Sequence, residues 1–386
     1  MLHLAPKVRV TRRSSGEAFR FLARRWLGHS DAGGAAFPLE HEVDVLHPGG
    51  GASHGGADGT STASSVSAGT AQLYEEPAVP APAVPLTRPL TIRTGAAAVP
   101  HPDKMRAGAR GIARQESGHA GEDAYFVASS PARRQEGDHM RPGWVVLGVA
   151  DGVYAWRDQG IDAGAFSRAL CAAAAAEATA PTHGDCSPLR LMQTAYREVI
   201  AAGVQGSCTA CFVCVDPTDG LVRSANVGDS GYLLMTPRRA GNQRRPQPAG
   251  ATQATWQPGG VKYRSPHQEH EFGRPYQLGH WPNSDKPEDA MLHGARLCAG
   301  DVLVIGTDGV WDNLHDSEVA AAVQAGVDSN VAPAAIARAV AAAAFERSTL
   351  KRGSTPYSLA ASEAHDLVFS GGKRDDISVI VMLADG

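Results

Sequence analysis

Acidic residues recur in one local setting along this chain: Glu122-Asp123, Asp151-Gly152, Asp229, Asp308 with Asp312, and Asp375-Asp376. Each stands where an apolar run begins or stops. Asp-Gly is a common turn dipeptide, so any one of these acids alone reads as a turn. Together they read differently, because strand ends along one sheet edge can converge in space. Two unpaired carboxylates about 4 Å apart repel by roughly 4 kcal/mol at an effective dielectric of 20. Four or more in one place therefore require cations. Carboxylates and water suit hard ions, so Mg²⁺ or Mn²⁺ is expected rather than zinc. No His-Glu-x-x-His run and no Cys/His pair spacing offers a competing zinc site. The backbone carbonyl of Gly152 is a candidate further ligand, since no side chain blocks its approach.

Short apolar runs rich in β-branched residues must position these acids. WVVLGVA (144–150), CTACFVCVD (208–216), LVRSANV (221–227), DVLVIGT (301–307) and ISVIVML (377–383) read as strands bounded by Asp/Gly turns. Residues 163–180, 187–203 and 332–350 combine helix formers with large apolar residues at spacings of three and four, and read as helices. Strands and helices fall in blocks, which predicts an α+β fold with antiparallel sheets. Three of the six cysteines lie in SCTACFVCV. A strand there turns Cys208 and Cys214 to one side and Cys211 to the other, which suits a core and not a metal site or a disulfide framework.

The rest of the chain differs in composition. Residues 1–30 hold seven Lys/Arg against the single acid Glu17, although the whole chain carries −4. Phe19, Leu22, Trp26 and Leu27 fall roughly along one helical face there. Residues 1–35 are therefore expected to be an organelle transit peptide, mitochondrial or plastid. Residues 36–105 are rich in Gly, Ser, Pro and Ala, and read as a disordered linker. The folded domain is expected over 106–386, with 236–260 as an inserted polar loop. The net charge gives no case for nucleic-acid binding. No run approaches the roughly 20 apolar residues a membrane span needs.

GEDAYFV, LGVADGVYAWRDQGIDAGAFS, SCTACFVCVD, ANVGDSGYLLM, GTDGVWDN and GGKRDDISVIV occur in the order seen in the protein phosphatase 2C family, and resemble most its organelle-targeted branch. The resemblance runs from about residue 118 to the C-terminus. It implies a central antiparallel β-sandwich flanked by helices, with a binuclear metal site at one end. It also implies hydrolysis of phosphoserine and phosphothreonine in protein substrates, with two Mn²⁺ or Mg²⁺ ions and a weaker third. By the same resemblance Asp151 bridges both ions, Gly152 offers its carbonyl, and Asp308 and Asp375 complete the direct ligands. Glu122 and Asp123 hold metal-bound waters. Asp229, with Asp308 and Asp312, matches the weaker third site, and Asp376 lies behind the ligands. A metal-bridging hydroxide is the implied nucleophile, with no covalent intermediate. No cysteine is followed by Arg six residues later, so no cysteine-phosphatase loop competes.

Two positions depart from the family pattern. Val153 replaces a histidine proposed as general acid, and Gly118 replaces an arginine that grips phosphate. Arg114 and Lys373 are candidates to replace that grip. His267, His270 and His280 are expected to pack a loop near the site and not to bind metal. A monomer is expected. The competing reading is a catalytically weak phosphatase-like binding module, although this chain retains Asp151, Asp308 and Asp375. A calcium-binding reading lacks the twelve-residue loop it would need.

Overall fold

The computed structural model describes residues 41–44, 86–105, 121–134, 140–180, 186–238 and 260–386. The expected transit peptide, the inserted loop from residue 239 onward, Arg114 and Gly118 lie outside them.

Two antiparallel sheets form the centre. The first contains β1 (His41–Asp44), β2 (Thr91–Val99), β7 (Gly231–Met235), β8 (Val261–Arg264), β10 (Val302–Gly306) and β11 (Ile377–Asp385), in the order β1-β2-β11-β10-β7-β8. The second contains β3 (Ala124–Ser129), β4 (Val145–Ala150), β5 (Ala210–Asp216), β6 (Leu221–Val227) and β9 (Met291–Arg296), in the order β9-β6-β5-β4-β3. Every pairing within them is antiparallel.

Side-chain alternation explains why the strands read as continuous apolar runs. Val145, Leu147 and Val149 meet Leu303, Ile305 and Ile380 in the core between the sheets. Their neighbours Val146 and Ala150 face the helices α2 (Ala165–Thr179) and α3 (Pro188–Ala201). On the first sheet, Val304, Val379 and Val381 face α5 (Asp316–Asp328) and α6 (Pro333–Ser348). Both faces of each sheet are thus covered, so no strand needs a polar side. The result is helices, sheet, sheet, helices, which is the α+β sandwich expected. Cys208 and Cys214 join the helix-facing core, while Cys211 points between the sheets. Burial pushes the Cys211 thiol up to about 12, as befits a packing residue.

The expected linker over 36–105 is corrected where it is described, at 41–44 and 86–105, while 36–40 and 45–85 lie outside the described residues. β2 pairs with β11 along its whole length, from Thr91 opposite Asp385 to Val99 opposite Ile377. Its Gly and Ala residues are a packing signal. A Cβ at Gly95 would lie 2.1 Å from the backbone nitrogen of Ala334, because the start of α6 rests directly on the strand. Small residues that read as low complexity are what that close approach demands. The folded unit therefore includes residues 86–105, and a boundary at 106 cuts through its first sheet. Two further helices lacked a clear signal: α5, and α7 (Pro356–His365).

Candidate metal centre

Antiparallel register carries the acids to one end of the sandwich. Ala124 stands opposite Ala150, so Asp123 and Asp151 emerge side by side at the ends of β3 and β4. Ala210 pairs with Val227 at the same end, and Asp229 follows two residues later. In the other sheet Gly231 pairs with Gly306, and Gly306 with Val379. That places Asp308, first residue of the short helix α4 (Asp308–Trp311), beside Asp375 and Asp376 at the start of β11. All five acidic positions singled out by sequence therefore meet at this end.

The second residue of the Asp151-Gly152 pair is dictated by crowding. A Cβ there would lie 2.4 Å from the carbonyl oxygen of Ala163 and 2.8 Å from that of Glu122. Asp151 itself is steered by Thr209, whose hydroxyl accepts from the Asp151 N–H at 3.3 Å and whose N–H donates to the Asp151 carbonyl at 2.9 Å.

The acids raise one another's proton affinity. Burial, then the charges of Asp123, Asp308, Asp375 and Asp229, hold Asp151 well above the ordinary carboxylate range. Burial, then Asp376, Asp308 and Asp375, do the same to Asp123, against a hydrogen bond from Thr307. Asp229 is raised by burial and by Asp308 and Asp312. Asp312 is pushed up to about 6 and Asp375 to about 7, each chiefly by burial and also by Asp308. Asp308 is the exception. Burial opposes its charge, but Lys373 and a hydrogen bond with the Asp151 carboxyl outweigh it, so it titrates below the ordinary value.

Among the described residues four buried carboxylate oxygens form no hydrogen bond, Asp123 Oδ1, Asp229 Oδ1, Asp308 Oδ1 and Glu122 Oε2, and of these Glu122 Oε2 is met by the ammonium of Lys104. An unsatisfied buried anion is expensive, and oxygen donors of this kind are what a hard divalent cation takes. The residues present thus fit a magnesium or manganese centre. Among the described residues no three such side chains are already closed around an ion position. An ammonium stands among them: Lys373 Nζ pairs with Asp308, and lies 2.8 Å from Asp312 Oδ2 and 3.1 Å from Asp375 Oδ2. Burial works against its charge, but these carboxylates outweigh that and raise its pKa well above the usual lysine value. Asn313 fixes the backbone of Lys373, donating to its carbonyl at 2.8 Å and accepting its N–H at 3.0 Å.

Glu122 and Asp376 are arranged differently from the other acids. Both Glu122 oxygens face cations, Arg157 on one side and Lys104 on the other. Asp376 accepts from the His101 N–H at 2.7 Å and the Glu122 N–H at 2.8 Å, and pairs with Lys104. Asp376 thus ties β11 to the segment before β3, behind the ligand cluster. Sequence reading missed Lys104 because it lies in the supposed linker. It missed Arg157 and Thr307 because nothing local pairs them. The Thr307 hydroxyl donates to Asp123 Oδ2 at 2.8 Å, 184 positions away.

Val153 begins the turn Tyr154–Gln159 and presents no proton donor. The three histidines are engaged in packing. His270 stacks on Tyr276 at 3.9 Å and bonds Asp285, while His280 bonds the Gly206 backbone and lies against Trp156. Burial and the neighbouring Arg264 hold His267 down to about 4, so its imidazole stays neutral. A cavity of about 520 Å³ opens there, lined by Arg264, His267, Trp311, Leu314, His315 and Pro356 among others.

Fold and site define a helix-flanked antiparallel sandwich with a carboxylate centre at one end. Its relatives give the family. Probable protein phosphatase 2C 55 of Arabidopsis thaliana is 32% identical over 295 residues, covering 76% of this chain and 52% of that protein. Protein phosphatase PTC7 homolog fig of Drosophila grimshawi is 31% identical over 272 residues, covering 68% of this chain and 78% of that protein. Among solved structures, the photosystem II phosphatase PBCP superposes with a TM-score of 0.56 at 26% identity, covering 76% of this chain and 98% of that one. No family model matches the chain. The chain belongs to the protein phosphatase 2C family. It spans about half the length of the Arabidopsis relatives it matches, 52% and 58%.

Proposed function

We propose that this chain hydrolyses phosphoserine and phosphothreonine esters in protein substrates, with Mg²⁺ or Mn²⁺ held by the carboxylates at the sandwich end. The observation that carries the reading is the set of buried oxygens without partners on Asp123, Asp229 and Asp308. Asp151, Asp308, Asp375 and the Gly152 carbonyl would hold two ions. Glu122 and Asp123 would orient bound water, and Asp229 and Asp312 would serve a weaker third ion with Asp308. Such ions supply a lowered water pKa and neutralise charge on the phosphoryl group. The chain's own residues do the positioning. Thr307 aims Asp123, Thr209 aims Asp151, and Asn313 holds Lys373 where its ammonium can meet a phosphoryl oxygen. Val153 gives no proton, so the leaving oxygen takes one from solvent.

The test is release of phosphate from a phosphoserine peptide by the full chain with Mn²⁺, with Mg²⁺ and with EDTA. Turnover with either metal and none with EDTA is expected. One observation favours a second reading, a phosphatase-like binding module: Lys373 already balances Asp308, Asp312 and Asp375. A folded protein inert with both metals would establish it.

The proposed catalytic unit starts near residue 86, with residues 1–35 as an organelle address and a monomeric state. A chain beginning at residue 86 loses only the edge strand β1 and is expected to keep its activity, whereas one beginning at 103 also loses β2, which pairs along the whole of β11, and does not fold. Circular dichroism of both fragments checks this. Residues 1–40 fused to a fluorescent reporter are expected in mitochondria or plastids, and diffuse fluorescence would sink the targeting reading.

A further inference from the structure

We propose that the rim beside the carboxylate centre carries an apolar docking ridge for substrate polypeptide, one that selects apolar residues a few positions from the phosphorylated side chain. The proposal rests on the phosphatase reading above.

The ridge begins at the site. The Tyr357 N–H donates to the carbonyl of Asp312 at 3.0 Å, and Lys373 Nζ lies 5.9 Å from the centre of the Tyr357 ring. From there aromatic contacts lead outward. Phe272 lies 5.8 Å from Tyr357 and 5.4 Å from His365, and His365 lies 5.6 Å from Phe369. Leu367, Val368 and Phe369 follow at the end of this path, and are 63%, 98% and 40% exposed. The steps from Lys373 Nζ to the Phe369 ring total at most about 23 Å, which an extended chain, advancing about 3.3 Å per residue, spans in no more than about seven residues.

These side chains are held out by a built turn and not by a frayed end. Asp366 closes α7 at a φ of 51°, which turns the chain away from the helix axis. The Leu367 N–H then donates to the Ser362 carbonyl at 3.3 Å, and the Phe369 N–H to the Ser362 hydroxyl at 2.9 Å. Beyond it, the Gly371 N–H donates to the Gly353 carbonyl at 2.8 Å, fixing the return. Three consecutive apolar side chains presented to water on a pinned loop mark a binding surface. The occupant follows from continuity. A polypeptide that places its phosphoserine among Asp308, Asp312 and Lys373 must cross the surrounding rim, and this ridge is an apolar stretch of it.

The experiment uses the full chain with Mn²⁺ and three substrates: para-nitrophenyl phosphate, and two phosphoserine peptides. The peptides are identical except for Leu or Ser at the fourth, fifth and sixth positions on each side of the phosphoserine. The Leu peptide is expected to show a kcat/KM about tenfold higher, the worth of one well-buried apolar side chain. In Val368→Asp that preference is expected to vanish, with para-nitrophenyl phosphate turnover unchanged, since that substrate is too short to reach the ridge. Equal turnover of the two peptides by the wild-type chain overturns the proposal without any variant. So does a preference that survives Val368→Asp. Loss of concentration-dependent self-association in Val368→Asp would assign the ridge to a second copy and also overturn it. Absence of all hydrolysis, including that of para-nitrophenyl phosphate, would instead reject the phosphatase reading itself.

Discussion

The two ends of the sandwich use the same residue type in opposite ways. At the end away from the site, each aspartate has its own cation. Asp216 meets Arg133 at 2.7 Å and accepts from the Thr218 N–H at 2.8 Å. Asp301 meets Lys262 at 2.6 Å and accepts from the Thr236 hydroxyl and the Cys298 N–H, both at 2.7 Å. Asp219 and Asp385 meet Arg296 and Arg93 at 2.8 Å. At the site end, Asp308, Asp312 and Asp375 share the ammonium of Lys373, its charge also acts on Asp229, and Asp151 is governed by burial and by the neighbouring carboxylates. Acids that hold a fold together are satisfied one by one. A cluster left short of positive charge is kept for something else, and its cost appears as raised pKa values and partnerless oxygens.

Exchanging aspartate for asparagine at each end tests this contrast most strongly. Asp151→Asn and Asp308→Asn are expected to cut metal-dependent turnover by about two orders of magnitude or more. Their metal-free thermal stability is expected to stay equal or rise, because one repelling charge is gone. Asp301→Asn at the opposite end should do the reverse. Turnover is kept, and stability falls by about 2 kcal/mol, because Lys262 loses its partner charge. Assaying turnover and melting temperature on all three variants decides the matter. If Asp151→Asn lowers stability and spares turnover, the two ends are not different in kind.

Lys373 is the next point of leverage. Lys373→Met removes the cation paired with Asp308, Asp312 and Asp375, and metal-free stability is expected to drop by about 2 kcal/mol. Millimolar Mg²⁺ should close most of that gap, because divalent ions can neutralise the same carboxylates. Thermal melts with and without Mg²⁺ measure it, and a deficit unaffected by Mg²⁺ would show that Lys373 acts by packing alone.

A smaller effect concerns pH. Asp312 titrates at about 6 and Asp375 at about 7, both above the ordinary carboxylate value and chiefly through burial. The folded chain therefore binds more protons there than the unfolded chain. The stability these groups contribute is complete below the ordinary carboxylate pKa and is lost as pH rises through about 6 to 7. Metal-free melting temperature should accordingly fall across that window, and fall less steeply in Asp375→Asn. An identical slope in the variant would mean the cluster does not govern the trend.

Much of this was legible along the chain. The alternation of Val145 to Ala150, the helix spacing over 163–180, and the acids at run ends are local patterns, and local patterns reflect local physics. So the α+β class, three of the longer helices and the aspartates of the cluster could be read before any contact was known, whereas Glu269, whose charge acts on Lys373 and Asp312, could not. What escaped was decided by partners distant in sequence. Gly95 and its alanine neighbours look like linker because composition cannot reveal that α6 lies on them. Lys104 gains meaning only beside Glu122 and Asp376, and Thr307 only beside Asp123.

The sequence by itself determined the element types and the chemistry available, because side-chain period and donor type are properties of short segments. Tertiary structure alone decided which aspartates are satisfied and which are left wanting. Asp301 and Asp308 stand at the two ends of the same strand, and the GTDGVWDN run singles out the second without showing what surrounds either. Antiparallel register sends the first toward Lys262 and the second into a crowd of its own charge, and Coulomb repulsion in a buried setting makes that crowd a place for cations.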